Sequence, residues 1–179
     1  RGIVKRFPGV VANDGITWSR FGPELNVVPG SISTDRGYGA STGGASALTV
    51  LTGATYNADF LRTDTVAAAF DTASGPVAGP IRLAFEFGQR QVGARIQANQ
   101  FGDFTARITA YGLGNALLGS FVLAVGSDLT EIFAVEFDID GVDANLGMAI
   151  GDVSLVPEPT TLALTVLGAA AFLRRRRLA

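Results

Sequence analysis

Between residues 79 and 155, apolar and polar side chains alternate in short segments that are separated by glycine-containing turns. The clearest segment is 81–87, where Ile, Leu and Phe residues alternate with Arg, Ala and Glu. Six segments of this kind follow one another at 81–87, 92–98, 104–111, 117–125, 132–137 and 148–155. A period of two is typical of half-buried strands, and no long amphipathic helix interrupts it. The pattern therefore predicts an all-β fold, an antiparallel β-sandwich of the jelly-roll kind.

The residues before this region carry a weaker pattern. Residues 1–13 predict a ragged lead-in, and residues 29–45, which contain five glycines and several Ser and Thr residues, predict a loop. Turn residues and short apolar runs predict strands within 14–23, 24–28 and 46–52. Residues 56–73 fit either a helical turn or a strand, and their context favours a strand.

Composition excludes several classes of site. The chain contains no cysteine and no histidine, which removes Ser-His-Asp triads, Cys-His nucleophiles, the usual zinc ligands and any disulfide framework. The formal net charge is −2, and four of the fourteen basic residues lie at 174–177, so residues 1–155 are mildly acidic. No basic stripe is present to meet phosphates, and we expect no nucleic-acid partner.

The tail differs in character from everything before it. Two prolines at 157 and 159 predict a stiff, extended, exposed segment. Residues 160–173 are uncharged and apolar, and as a helix they would rise about 21 Å, against a hydrocarbon core of roughly 30 Å. The arginines at 174–177 then end the run and favour a cytoplasmic position. We therefore predict a sandwich domain over 1–155, followed by one C-terminal helix of the transmembrane type.

This order of parts closely resembles the PEP-CTERM sorting signal of Gram-negative bacteria. The matching motif is Val156, Pro157, Glu158, Pro159 and Thr160, and the matching basic stop is Arg174, Arg175, Arg176 and Arg177. The resemblance implies recognition by an exosortase, a membrane-embedded transpeptidase-like enzyme, and an association with exopolysaccharide production. It implies export across the inner membrane to the cell envelope, surface or matrix, with membrane contact through 160–173. Export also needs an N-terminal signal peptide, and we expect further residues to precede Arg1.

The body is similar to the β-sandwich found in many PEP-CTERM surface proteins. This resemblance rests on segments 14–18, 83–94, 104–111 and 149–155. In outline such sandwiches are similar to galactose-binding-like and carbohydrate-binding modules. The resemblance implies a fold and names no ligand.

Catalysis is not expected, although glycoside hydrolysis needs no more than two carboxylates. No carboxylate has a sequence context that marks it as buried or paired, and Glu86 reads as a solvated residue on the outer face of its strand. Asp138, Asp140 and Asp143 surround Gly141 and form a weak candidate for a Ca²⁺ site on a turn. Their spacing departs from the EF-hand pattern, so a plain acidic turn is favoured and no cofactor is expected.

Exposed aromatic rings are the usual means of stacking on a sugar. Trp18, Tyr38, Tyr56 and Tyr111 are the candidates. Trp18 fits the core as well as a platform, and Tyr38 and Tyr56 are preferred as sugar contacts because loops on a rigid scaffold often carry binding residues.

Three functions remain open. The first is a sorted, exported, non-catalytic protein that binds exopolysaccharide or other matrix components. The second is a membrane-tethered structural protein whose tail stays as an unprocessed anchor. The third is a carbohydrate-active enzyme.

Overall fold

The computed structural model describes residues 12–44, 47–56, 60–71, 75–77, 79–99, 105–121, 125–126, 132–140 and 147–157. Its strands are β1 (Asp14–Ile16), β2 (Ser31–Ser33), β3 (Gly39–Gly44), β4 (Leu48–Thr52), β5 (Thr65–Asp71), β6 (Gly75–Pro76), β7 (Ile81–Gly93), β8 (Ile96–Ala98), β9 (Thr105–Tyr111), β10 (Leu117–Phe121), β11 (Val125–Gly126), β12 (Ile132–Asp140), β13 (Met148–Ile150) and β14 (Val153–Pro157). Short 3-10 helices occupy Trp18–Phe21 and Leu113–Asn115. The all-β prediction is confirmed.

The strands form two sheets, and every pairing between described strands is antiparallel. Sheet A has the order β1-β14-β7-β12-β9-β10, with β3 and β11 also paired to β7 and β2 paired to β3. Sheet B has the order β4-β5-β13-β8, with β6 paired to β5. The jelly-roll connectivity stays a prediction.

One apolar core lies between the two sheets. Leu83, Ile108 and Val135 enter it from sheet A, and Val50 and Ile150 enter it from sheet B. These side chains come from the alternating segments, because each strand turns every second residue towards the core. The core therefore agrees with the predicted sandwich.

Sheet B also buries its other face. A second apolar cluster packs Leu51, Val66 and Ala149 against Tyr56 and Phe60, which lie in the segment between β4 and β5. Strands with both faces covered lose the alternation of apolar and polar side chains. This explains why residues 65–71 resembled a helical turn as much as the strand that they form.

Strand β7 organises sheet A, because two strands flank each half of it. From one side β12 pairs with residues 81–84 and Gln89, so β3, which pairs with residues 81–85, lies on the other side. On that same side, β14 pairs with residues 89–93. Strands β3 and β14 therefore follow one another in line along β7, with a gap opposite residues 86–88.

The sequence predicted a loop over residues 29–45. This prediction is wrong, because these residues contain β2 and β3. These strands pair as a hairpin, and β3 continues the pairing onto β7. Strand β3 consists of Gly, Ala, Ser and Thr residues, and Ala40 is the one buried residue within it, so the strand carries no alternation of apolar and polar side chains. Backbone hydrogen bonds form a ladder without large side chains, and the pattern therefore missed it.

The predicted strand at 24–28 is represented by a bridge between Val27 and Thr49. Residues Leu25, Asn26 and Val28 exchange backbone hydrogen bonds with Leu48 and Val50 of β4, but Leu25 has a φ of 70°. A left-handed residue interrupts regular extended geometry, so the segment lies beside β4 without forming a full strand.

Three predicted strands are each divided in the structure. Residues 92–98 contribute the last residues of β7 to sheet A and β8 to sheet B. Residues 117–125 contribute β10, which pairs with β9, and the start of β11, which pairs with β7. Residues 148–155 contribute β13 to sheet B and β14 to sheet A. Gly151 and Asp152 connect the latter two strands, so the chain crosses between the sheets where the sequence predicted a continuous strand.

Candidate functional site

Trp18 forms hydrogen bonds with the two residues, Gly151 and Asp152, at which the chain crosses from sheet B to sheet A. Its side chain is 0% exposed, its Nε1–H donates to the Gly151 carbonyl at 2.9 Å, and its backbone N–H donates to Asp152 Oδ1 at 3.0 Å. The sequence left Trp18 open as core or platform, and it is a core residue.

Three carboxylates lie near this crossing, and two of them are held by arginines. Asp35 pairs with Arg20 at 2.8 Å, and Asp64 pairs with Arg95 at 2.8 Å. Partial burial raises the pKa of the Asp152 carboxyl, the hydrogen bond from Trp18 lowers it, and the charges of Asp35 and Asp64 raise it further. Asp35 and Asp64 therefore have cationic partners, whereas Asp152 has the hydrogen bond from the Trp18 backbone.

The raised pKa of Asp152 predicts a pH-dependent effect of Asp152→Asn. The folded state holds the carboxyl proton more tightly than the unfolded state, so ionisation costs stability as pH rises through the raised pKa. Asparagine keeps an acceptor for Trp18 and carries no charge. We expect a slightly higher Tm than the parent at pH 7, and equal Tm values below about pH 3, measured by circular dichroism.

Asp35→Asn is the matched control for this experiment, because it removes the charge that pairs with Arg20. It is expected to lower Tm or leave it unchanged at pH 7. A lower Tm for Asp152→Asn at neutral pH would contradict the assigned effect of its charge.

The two preferred sugar-contact residues lie in different environments. Tyr56 is 3% exposed, its hydroxyl donates to the Gln97 carbonyl at 3.3 Å, and burial raises its pKa. A ring in this position has no face for a sugar, and the prediction for Tyr56 is wrong. The sequence missed this because the cluster that covers Tyr56 is completed by β13, far along the chain, and by β4 and β5, whose packing no local pattern reveals.

Tyr38 is 37% exposed and packs edge-to-face on Phe87, which is 40% exposed, with ring centroids 5.7 Å apart. Beside them, Glu86 Oε2 accepts a hydrogen bond from Gly39 N at 3.1 Å. We call Tyr38, Glu86 and Phe87 the aromatic corner. Glu86 is exposed, as the sequence predicted for it.

Phe87 was missed, because its alternation with Phe85 predicted a core position. The register between β7 and β12 shifts here: Ala84 lies opposite Ala134, but Gln89 lies opposite Ile132. Extra residues in one strand form a bulge that redirects side chains. The apolar and polar side chains stop alternating after Gly88, and this is the sequence signal that could have indicated the exposed position of Phe87.

One face of the Tyr111 ring is covered by an arginine. The guanidinium of Arg82 lies 4.6 Å from its ring centroid, and the same guanidinium is bonded to Asn115 at 2.6 Å and lies 3.7 Å from Glu136. This group forms a self-contained polar cluster on the outer face of sheet A.

The candidate calcium ligands are only partly described. Asp138 and Asp140 lie within β12 rather than on the predicted turn, and Asp138 Oδ1 accepts a hydrogen bond from Ile139 N at 2.9 Å. Asp143 lies outside the described residues. Within the described ranges, no group of three acidic side chains is arranged to hold a metal ion.

The sorting segment begins inside the fold. Val156 and Pro157 are the last residues of β14 and lie opposite Gln91 and Gln89 of β7. Strand β14 therefore extends two residues into the segment that the sequence assigned to the sorting signal. Glu158, Pro159 and Thr160, the apolar run 160–173 and the arginines at 174–177 lie outside the described residues. Within the part of the chain that is described, no helix is long and apolar enough to cross a membrane.

These observations define a class of protein in which the last strand of an antiparallel β domain runs directly into a sorting segment. The PEP-CTERM protein-sorting motif matches residues 155–177, and the chain carries this motif. No curated protein and no solved structure matches the chain. The motif indicates an exported bacterial protein of the cell envelope or surface that is processed by an exosortase.

Proposed function

We propose that this chain is a non-catalytic surface or matrix protein of a Gram-negative bacterium, exported across the inner membrane, and that its sandwich binds extracellular polysaccharide. Sorting rests on the motif at 155–177. The observation that supports sugar binding is the exposed aromatic corner, where two rings meet beside a carboxylate on a bulged strand.

The chemistry of the aromatic corner suits a sugar. Aromatic rings stack on the apolar face of a pyranose, and carboxylates accept hydrogen bonds from its hydroxyl groups. Phe87 is fixed on β7, and Tyr38 is held by its backbone, because Tyr38 N donates to Thr34 Oγ1 at 3.2 Å and its carbonyl accepts from Thr34 N at 2.8 Å. Such anchoring lowers the entropy lost on binding.

A non-catalytic role agrees with the use of the acidic groups. Asp35 and Asp64 are engaged by arginines, and Glu86 by the backbone of Gly39. These three carboxylates therefore already have structural partners.

Sugar binding is tested with Tyr38→Ala and Phe87→Ala, using exopolysaccharide purified from the native host in affinity electrophoresis. Each truncation is expected to weaken retardation about five- to tenfold, because a ring contact contributes roughly 1 kcal/mol or more. The matched control is Leu113→Ala, which removes a side chain that is also exposed but lies on the β9–β10 connection. Equal retardation of all four proteins would contradict a sugar site at the aromatic corner.

The alternative function is a structural protein whose tail remains as a membrane anchor. Intact-mass analysis of protein from the native envelope and medium separates the two. Loss of the residues beyond the Pro-Glu-Pro region supports sorting, whereas a mature species that retains residues 174–179 would replace it with the anchor.

A further inference from the structure

The sorting motif and the folded body share residues, with no spacer between them. The match begins at Leu155, and β14 ends at Pro157. A membrane-embedded enzyme that binds an extended Pro-Glu-Pro segment must therefore reach residues that are held in sheet A.

Upstream of the motif, β14 is held firmly. Leu155 is fully buried, and it lies between Asp14 of β1 and Val92 of β7. Its carbonyl also accepts a hydrogen bond from Asn13 N at 3.3 Å. Withdrawal of Leu155 would open the core, so the body fixes one end of the motif in place.

At the motif itself the ladder becomes irregular. The β14–β7 register shifts between Val156 and Pro157, and Pro157 has no N–H to donate. Opposite Pro157, the Gln89 side chain is buried, and its Oε1 has no hydrogen-bond partner among the described residues. The last two residues of β14 are thus held less completely than the residues before them.

The path along β7 is also closed beyond this point. Strand β3 pairs with residues 81–85 of β7 on the side that β14 uses, so this edge of β7 already has a partner there. Strand β14 ends close to the aromatic corner, since Phe87 is two residues, or about 7 Å, along β7 from Gln89.

We infer that detachment of Val156 and Pro157 from β7 is the step that admits the sorting enzyme, so the sandwich controls the processing of its own tail. The inference rests on the proposed sorting function. Detachment stops at Leu155 because that residue is buried in the core. The processing rate then depends on the fraction of molecules in which the end of β14 is open.

A pair of introduced cysteines tests this step. Val156 and Gln91 lie directly opposite each other, so Val156→Cys with Gln91→Cys places two thiols within disulfide reach. The chain has no other cysteine. We expect the oxidised form to lose its tail at least about fivefold more slowly than the parent in pulse–chase experiments on the full chain in native cells, and dithiothreitol to restore the rate.

The matched control is Ser154→Cys with Gly93→Cys, which joins the same two strands two residues earlier. A Cβ at Gly93 meets no atom within 4 Å, so the site accepts cysteine. This disulfide leaves Val156 and Pro157 free to detach and is expected to leave the rate unchanged. Each single-cysteine variant reports the effect of the substitution itself, and the rates of the oxidised and reduced pairs are compared with these variants.

A spacer variant distinguishes failure of the inference from failure of the sorting function. Six Gly and Ser residues followed by a second Leu-Val pair, inserted between Val156 and Pro157, leave β14 complete to Val156 and carry an unbroken motif away from β7, and are expected to speed tail loss. Processing of the oxidised Val156–Gln91 pair at the parental rate would overturn the inference while sorting stands. Retention of the tail by the parent and by the spacer variant would overturn sorting, and the inference with it.

Discussion

Trp18→Ala is expected to lower the free energy of unfolding by about 3–5 kcal/mol. The substitution removes a fully buried indole and leaves the Gly151 carbonyl without the Nε1–H that it accepts at 2.9 Å. Gly151 and Asp152 connect the two sheets, so the lost packing and hydrogen bond are ones that hold this connection in place. Urea denaturation followed by far-ultraviolet circular dichroism measures it, since the variant has no tryptophan left for fluorescence.

Two controls separate volume from hydrogen bonding at this position. Trp18→Phe keeps most of the buried volume and loses the N–H donor, and an intermediate loss of stability is expected. Leu113→Ala truncates a side chain that is 77% exposed and is expected to change stability by less than about 0.5 kcal/mol. A loss below about 1 kcal/mol for Trp18→Ala would contradict its assigned place in the core.

Leu155→Asp is expected to cost about 4 kcal/mol or more, because it places an unpaired carboxylate at a position that is 0% exposed. A domain of this size is stabilised by roughly 5–15 kcal/mol, so the substitution removes a large share of the total stability. A large fall in Tm, measured by circular dichroism, is the expected observation.

Ser154→Asp is the matched control, because Ser154 is the neighbouring residue of β14 and points to solvent. Its stability is expected to stay within about 0.5 kcal/mol of the parent. Similar transitions for both aspartate variants would contradict the burial of Leu155, and with it the anchoring of β14 upstream of the sorting motif.

The sequence predicted those strands whose two faces differ. Residues 81–85, 105–111 and 132–137 alternate because one face meets the core and the other meets water, and they form parts of β7, β9 and β12. It failed where that contrast is absent. Strand β3 has small residues on both faces, and β5 is buried on both, so neither carries a period of two.

The tail motif was readable from sequence because its chemistry is local. A proline-rich segment, an apolar run and adjacent arginines need no partner from elsewhere in the chain. The environments of Tyr38, Tyr56 and Phe87 depend on long-range packing: Phe60 and sheet B cover Tyr56, and a shift against β12 turns Phe87 outward. No local pattern distinguished the exposed tyrosine from the buried one.

A sorting signal is usually pictured as a detachable label, transferable from one protein to another without loss to the donor. Here Leu155, Val156 and Pro157 belong to the label and to the last strand at once. A graft that removes the label at Leu155 would shorten β14 and open the core of the donor. A substitution at any of these three positions therefore affects both the pairing of β14 in the sheet and the segment that the sorting enzyme binds. The β domain and the sorting motif cannot change independently at these positions.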